Sequence, residues 1–508
     1  MSNLYEVFDD TEQRNTETIA ALDIGSNSFH LVVARVVADS VQVLTRVKHK
    51  VRLADGLNEQ SILSDEAMQR GLDTLESMVE SLKGVSVDSV RIVATHTLRR
   101  ARNADAFLQK ARSVFPFPIE VISGAEEARL IYVGVFNHTN VKGSRLIIDI
   151  GGGSTEFAIG KDPAPQLCKS LRMGCVSYQK RFFADGTITL KAVERAITAA
   201  EQDLELASVS LKECSWEHSI GSSGTAKAIA AVANPNEDGQ ILPFSQQDLQ
   251  LLVARCIEKG HSDKLDFEGL SEDRKPVFVS GLCIMLAIFQ SLNLQKVVIS
   301  QAALREGVLT ELKGEQTSQD VRVRTAQSLA TRYDVDTPHA HKVLKSCMFI
   351  YNEVKHDWQL SASKFRFMIA WSALLHEIGL QVNSRGLQKH SAYILSNSDL
   401  PGYNQDQQRV MAALVRFHRK KILREQLPNS IEYTERCIAK MLTILRLGIL
   451  LNISRQASNT RLTGCFADEN SITIKFADNV LSSNRLLLAD LQKEVIYLDN
   501  IDIILNAT

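Results

Sequence analysis

Two stretches of this chain, LDIGSNSFH at 22–30 and IDIGGGSTE at 148–156, share one plan: a carboxylate closing an apolar run, then glycine, then small hydroxyl residues. Glycine lets a backbone approach a ligand closely, and successive amides in such a turn form a nest for an anion. Gly25, Ser26, Asn27 and Ser28 supply donors in the first turn, and Gly151, Gly152, Gly153, Ser154 and Thr155 in the second. The chemistry that suits them is phosphate binding. Asp23 and Asp149 would repel a bare phosphate, so each is expected to hold Mg²⁺ or its water shell. A third turn, GSSGT at 221–225, offers Ser222, Ser223, Gly224 and Thr225 where a strand runs into a helix. That is the geometry of an anion site at a helix N-terminus, although an ordinary strand–helix loop reads the same way.

SGAEEARL at 123–130 sets Glu126 and Glu127 side by side just after a strand. Neighbouring helix residues point about 100° apart, so one of the two is expected to face a cleft. A phosphoanhydride hydrolase needs such a carboxylate to orient and deprotonate water, whereas a solvated first helical turn is the plainer reading of the same residues. Arg99, at the end of THTLR, stands where a guanidinium could clamp a phosphoryl group. The basic runs at 48–52, 99–102 and 416–424 read first as solvated faces. Aromatic residues make up only 6% and are not interleaved with those runs, which argues against nucleic acid as a partner. His376, Glu377, His390 and His418 are scattered like phosphohydrolase ligands. The metal-dependent HD type requires His-Asp, however, and a structural role is expected for them. Neither a G-x-S-x-G elbow nor a Walker loop is present, which disfavours a serine nucleophile and a P-loop.

The elements that must position these residues follow from pattern. A chain of 508 residues, 44% apolar and 23% charged, reads as a multi-domain globular protein. Lys+Arg 58 against Asp+Glu 59 means that local clusters, not bulk charge, must hold a polyanion. Eight scattered cysteines without a C-x-x-C pair fit a reducing compartment. The N-terminal MSNLYEVFDDTEQRN has no signal-peptide character, and the apolar run at 282–289 is too short to span a bilayer, so a cytoplasmic chain is expected. Strand–turn–strand is expected over 19–37, and a helix over 65–83 on Met68, Leu72, Leu75, Val79 and Leu82, with Ser64 as N-cap and Gly84 as stop. Strands at 90–94 and 119–122 complete an α/β alternation. Laying Asp23 on Asp149 places Ser28 on Ser154 and His30 on Glu156, which suggests a duplicated lobe with a cleft between the copies. The division expected is two lobes, 17–130 and 131–313, an all-helical domain over 314–455, and a small module over 456–508 with alternating SITIKF and EVIYL.

Together these residues resemble the exopolyphosphatase / guanosine pentaphosphate phosphatase family, a branch of the actin-like ATPase fold. The likeness covers nearly the whole chain through LDIGSNSFH, RLADGL (52–57), THTLR (95–99), SGAEEARL, IDIGGGSTE, RMGCVS (172–177), GSSGT, ALREGVL (303–309), LHEIGL (375–380) and HSAYILSNSDLPG (390–402). One departure is Ser300-Gln301-Ala302-Ala303-Leu304, where the family usually has Ser-Asp-Gly-Ala-Leu. The resemblance implies an α/β fold with duplicated actin-like (ASKHA, ribonuclease H-like) lobes, an HD-like helical domain and a small α+β module. It assigns Glu127 to water activation and Glu156 to a second essential carboxylate beside the Mg²⁺, with Arg99 on the transferred oxygens. It further implies a homodimer, cytoplasmic or peripheral to the inner membrane, with a basic channel for the polymer in which Arg416, His418, Arg419 and Lys420 would lie. Pentaphosphate phosphatases of the family typically read Gly-Gly-Ala in the second loop and lack the His of THTLR. This chain has Gly153 and His96, so hydrolysis of terminal orthophosphate from inorganic polyphosphate is the expected activity. Release of the γ-phosphate of guanosine pentaphosphate is the first alternative, ahead of a sugar kinase or a non-catalytic sensor of the same superfamily.

Overall fold

A computed structural model describes residues 17–37, 40–139, 141–235, 242–314, 318–430, 432–455 and 462–508; most of the polar N-terminal tail lies outside them. The chain forms two compact units, one up to Ser318 and one from Gln319.

The first unit is built on two sheets of matching topology. Strands β1 (Glu17–Ile24), β2 (Ser28–Val37), β3 (Ser40–Lys50), β4 (Val90–Ala94) and β5 (Ile119–Val121) lie in the order β3-β2-β1-β4-β5. Strands β6 (Arg145–Ile150), β7 (Thr155–Gly160), β8 (Leu167–Leu171), β9 (His218–Gly221), β10 (Phe244–Ser245) and β11 (Lys296–Ile299) lie in the order β8-β7-β6-β9-β11-β10. In each copy a meander leads into a parallel crossover: β1 is antiparallel to β2 and parallel to β4, and β6 is antiparallel to β7 and parallel to β9. The register pairs Asp23 with His30 and Asp149 with Glu156, the correspondence that the sequence repeat gives. This is the duplicated actin-like architecture. The helix Asp65–Val79 starts where the pattern puts it, with Ser64 Oγ accepting from Ala67 N–H, and Gly84 has φ +81°.

The lobe boundary expected at 130/131 falls inside one helix, Gly124–His138. That helix crosses Leu304–Leu312 backbone to backbone: a Cβ on Gly307 would sit 1.8 Å from the Leu130 carbonyl oxygen, and one on Gly134 2.3 Å from that of Ala303. A buried charge network locks the same pair. Arg129 donates to Glu126 through Nε and Nη2 at 2.7 Å each, and its Nη1 stands 2.6 Å from Glu311. Arg91 adds a further contact to Glu311 at 2.6 Å. The helix Lys275–Leu292 is long and apolar enough to cross a membrane, but 72% of that stretch is buried within the protein. It carries much of the second lobe's core, including Leu282, Cys283, Ile284 and Phe289.

The second unit gathers the helices Thr337–Val354, Ser363–Leu375, Leu387–Asn397, Gln405–Phe417 and Glu435–Leu450, with a three-stranded sheet of β12 (Leu462–Asp468), β13 (Ser471–Phe476) and β14 (Ile504–Ala507). Helical and sheet residues share one core: Val343, Ile369 and Leu442 cluster with Ile472, Ile474 and Leu505. The end of the chain is thus continuous with the helical domain's interior. SITIKF is a strand, but EVIYL, read as a second strand, belongs to the helix Arg485–Asp499. Leu487, Leu491, Glu494 and Leu498 are its buried positions, a spacing of four, three and four that overrides the short local alternation. Glu494 is buried because Arg446, on the facing helix Glu435–Leu450, donates to it through Nε and, at 3.0 Å, through Nη2.

Removing one partner of a buried ion pair strands the other. Arg446→Ala should therefore destabilise the protein by about 3–5 kcal/mol, and pairing Arg446→Met with Glu494→Leu should restore most of the loss. Urea denaturation followed by tryptophan emission checks this, since Trp358 and Trp371 lie in this unit's core. An unchanged midpoint for Arg446→Ala would show that the pair contributes nothing.

Candidate active site

The two hairpin turns face one cavity of about 420 Å³ in the first unit. Each is closed by the same bond, Gly25 N–H to Ser28 C=O at 3.2 Å and Gly151 N–H to Ser154 C=O at 2.9 Å. Gly25–Ser28 and Gly151–Ser154 line the cavity from opposite lobes, and Ser222–Thr225 closes a third side. Ser223 caps the helix Gly224–Ala233 by accepting from Ala226 N–H, which aims that helix start inward. Ser222 Oγ donates to Asp149 Oδ2 at 2.6 Å, and Thr97 Oγ1 donates to Ser26 Oγ at 2.9 Å. Thr155 is the exception among the turn residues. It is fully buried, outside the cavity wall, and its hydroxyl donates to the Met173 carbonyl at 2.5 Å, so it shapes the turn and is not placed to touch a ligand.

Glu127 is on the cavity wall and its neighbour Glu126 is not. Ser123 starts their helix by accepting from Glu126 N–H at 3.1 Å; Glu126 then turns to Arg129 while Glu127 faces the cleft. Arg99 does not line the cavity. Its Nη1 donates to Glu127 Oε2 at 2.8 Å and to the Ile122 carbonyl at 3.1 Å, and its Nη2 lies 4.0 Å from Glu156 Oε1. The guanidinium expected from the sequence to clamp a phosphoryl group is engaged here with Glu127 and the Ile122 carbonyl. Glu156 is likewise off the cavity wall, buried, and accepts from Ser170 Oγ at 2.8 Å.

Electrostatics separates the acids. Burial pushes the Asp23 carboxyl up to about 7, with the charge of Arg305 opposing and that of Glu127 adding. Burial pushes Asp149 up to about 6, against the pull of the Ser222 hydrogen bond. Glu156 is raised well above the ordinary carboxylate range, by burial and then by the charge of Glu127. Asp23 Oδ1 is a buried carboxylate oxygen with no hydrogen-bond partner. Oxygen donors at Asp23 and Asp149, one of them orphaned, fit a hard divalent cation such as Mg²⁺.

Four cations share the cavity wall: Lys48, Lys227, Arg274 and Arg305. Lys48 had read as part of a solvated run, yet β2–β3 pairing sets it opposite His30 and turns it inward. Arg305 sits in the quoted ALREGVL motif without a separate signal. Arg274 lies so close to the third turn that a Cβ on Gly224 would meet its Nη2 at 2.0 Å. His30 and His96 also line the cavity, each brought down to about 3 by burial and neighbouring cations, and are therefore uncharged at neutral pH. In the second unit, Arg416 is partly buried and Arg419 and Lys420 are exposed, but His418 is an interior residue whose Nδ1 pairs with the Val415 carbonyl at 2.6 Å. It cannot line a solvent channel.

Comparison with known proteins agrees with this geometry. The description "Ppx/GppA phosphatase family" matches residues 32–316, and "Ppx/GppA phosphatase, domain III" matches residues 321–495. A relative from Aeromonas hydrophila named guanosine-5'-triphosphate,3'-diphosphate pyrophosphatase is 38% identical over 483 residues, which cover 95% of this chain and 97% of that one. One of the same name from Vibrio cholerae is 36% identical over 475 residues, covering 94% and 95%. The crystal structure of an exopolyphosphatase from Cytophaga hutchinsonii superposes with TM-score 0.54 at 26% identity over 59% of this chain and 99% of that one. An Aquifex aeolicus Ppx/GppA member gives TM-score 0.52 at 24% identity over 59% and 100%, a likeness of fold. The chain belongs to the Ppx/GppA phosphatase family and is a phosphoanhydride hydrolase.

Proposed function

We propose that the substrate is guanosine-5'-triphosphate,3'-diphosphate and that the enzyme hydrolyses its terminal 5'-phosphoanhydride. The observation that carries this reading is kinship, 36–38% identity to proteins of that name over at least 94% of the chain. Polyphosphate was the first expectation from the sequence, on the joint occurrence of Gly153 and His96. In the folded protein these two are one feature. A Cβ on Gly153 would stand 2.2 Å from His96 Cδ2, so an alanine there and the imidazole exclude each other. Two observations thus reduce to one, and the buried His418 does not support the basic channel expected for a polymer.

The chain's own groups suffice to describe the displacement. Amides and hydroxyls of Gly25–Ser28 and Gly151–Ser154 hold the oxygens of the terminal phosphoryl group, and the four cations of the wall offset the remaining negative charge. Glu127, aimed by Arg99, takes a proton from water as the water oxygen bonds to phosphorus. The bridging P–O bond breaks opposite to it, releasing orthophosphate and the shortened nucleotide. Mg²⁺ held by Asp23 and Asp149, when bound, would neutralise charge developing on the phosphoryl oxygens.

Kinetics on purified protein decide the substrate: kcat/KM for the guanosine pentaphosphate should exceed that for long polyphosphate, and the reverse order would overturn the proposal. Glu127→Gln should lower kcat by about 10²–10⁴-fold while leaving substrate binding within a few-fold. Arg99→Ala should lower kcat mainly, because the base is misaimed; a rise in KM with kcat intact would instead put the guanidinium on substrate. The acids also set a pH signature. Asp23 at about 7 and Asp149 at about 6, against an ordinary 3.8, hold protons in the folded chain that the unfolded chain releases. Without a cation, stability must then fall as pH rises from about 4 through about 7. Mg²⁺ must displace those protons, so its stabilisation, read as a Tm shift, should be small near pH ~5.5 and large near pH ~8. Asp23→Asn should flatten that dependence, and equal Tm shifts at both pH values would contradict it.

A further inference from the structure

The second unit carries another group of side chains able to ligate a metal, remote in sequence from the cleft residues. His339 lies near the start of the helix Thr337–Val354, and His376 and Glu377 follow the end of Ser363–Leu375. One ligand atom from each of the three lies within 4.8 Å of the others. His376 is 1% exposed, and its Nδ1 stands 2.8 Å from the Ala373 carbonyl. A carbonyl only accepts, so Nδ1 carries the proton and Nε2 keeps its lone pair. That Nε2 is buried and has no hydrogen-bond partner, and His339 Nδ1 is in the same condition. Two orphaned imidazole nitrogens beside a carboxylate are costly to leave empty-handed in a protein interior.

We infer that His339, His376 and Glu377 form a binding site for a divalent transition ion of the zinc class, with a coordination position left open. Two imidazole nitrogens and one carboxylate oxygen suit such ions and not Mg²⁺, which prefers oxygen throughout. Ligand atoms about 2.0–2.2 Å from a shared ion lie about 3.5 Å apart, so the group closes by roughly 1 Å around it. The supporting contacts are those of a held ligand set. Arg455 Nη2 donates to both oxygens of Glu377 at 2.7 Å, and its Nη1 donates to Asp336 at 2.8 Å. Asp336 in turn caps the helix that carries His339 by accepting from His339 N–H at 3.0 Å. The His418 ring packs edge-to-face on His376, with centroids 5.3 Å apart, and fixes the imidazole plane. A carboxylate ligand braced by a guanidinium and an imidazole braced by a carbonyl are the outer contacts that orient metal ligands. Sequence reading gave His376, Glu377 and His418 a structural role and overlooked His339, which lies in a separate helix. The inference does not depend on the identity of the substrate.

The test uses full-length, untagged protein freed of metal with a chelator, in wild-type and Asp23→Asn forms so that the cleft acids are controlled. Co²⁺ is the probe, followed by equilibrium dialysis and by the visible d–d bands of imidazole-bound cobalt. With excess Mg²⁺ present to occupy the cleft, one Co²⁺ per chain should bind in both forms, give the imidazole d–d bands, and yield to Zn²⁺. His339→Asn and Glu377→Gln, each confirmed as folded by circular dichroism, should weaken it by about 10–100-fold. Absence of cobalt bands in the wild-type protein, or equal affinity in all the variants, would overturn the inference. The wild-type measurement decides it even if a variant does not fold.

Discussion

Carboxylates buried beside one another lose their water and repel each other, and only a proton or a nearby cation relieves both effects. Asp23, Asp149, Glu127 and Glu156 are placed in that condition, and the rest of the first unit can be understood as what holds them there. Arg99 serves Glu127 and reaches toward Glu156, and Ser222 serves Asp149. Asp23 keeps an oxygen without a partner, facing a cavity that four cations line from other segments. Protons on Asp23 and Asp149 relieve that repulsion at low pH, and a cation beside them would take over that part as pH rises.

Precision at Glu127 comes from the side of its helix away from the cleft. Glu126, one residue earlier, is tied to Arg129, and Arg129 approaches Glu311 on the crossing helix. The Gly134–Gly307 contact brings the two helix backbones together with no side chain between them. One carboxylate thus anchors the first turn while the next faces the cleft. Neither residue could replace the other, although the sequence writes them identically.

Much of this was legible in the chain itself. The repeated Asp-Ile-Gly turns specify both the duplication and its register, because a hairpin's pairing follows directly from turn length. Spacing says only that one of Glu126 and Glu127 faces a cleft, and the choice of Glu127 rests on the family motif. What escaped the sequence depends on distant segments meeting. Lys48, Lys227, Arg274 and Arg305 come from a strand, two helices and the turn before a third, and nothing local marks them as one group. Arg99 has the right placement in the motif, but whether it touches ligand or carboxylate is decided by the Ile122 carbonyl that fixes its fork. EVIYL misled because five residues can satisfy a period of two while the helix around them runs on a period of 3.6. Gly153 and His96 misled differently, since a steric pair looks like two independent signals until their contact is seen.

The twin hairpins share a register but differ in the residue opposite each aspartate, His30 in one lobe and Glu156 in the other. A doubled cradle on its own would be nearly two-fold symmetric and would accept a tetrahedral group either way round. The exchange of an uncharged ring for an acid breaks that symmetry, and gives the cleft a chemical handedness that neither copy has alone. An anion entering the cleft would therefore meet two chemically unlike sides.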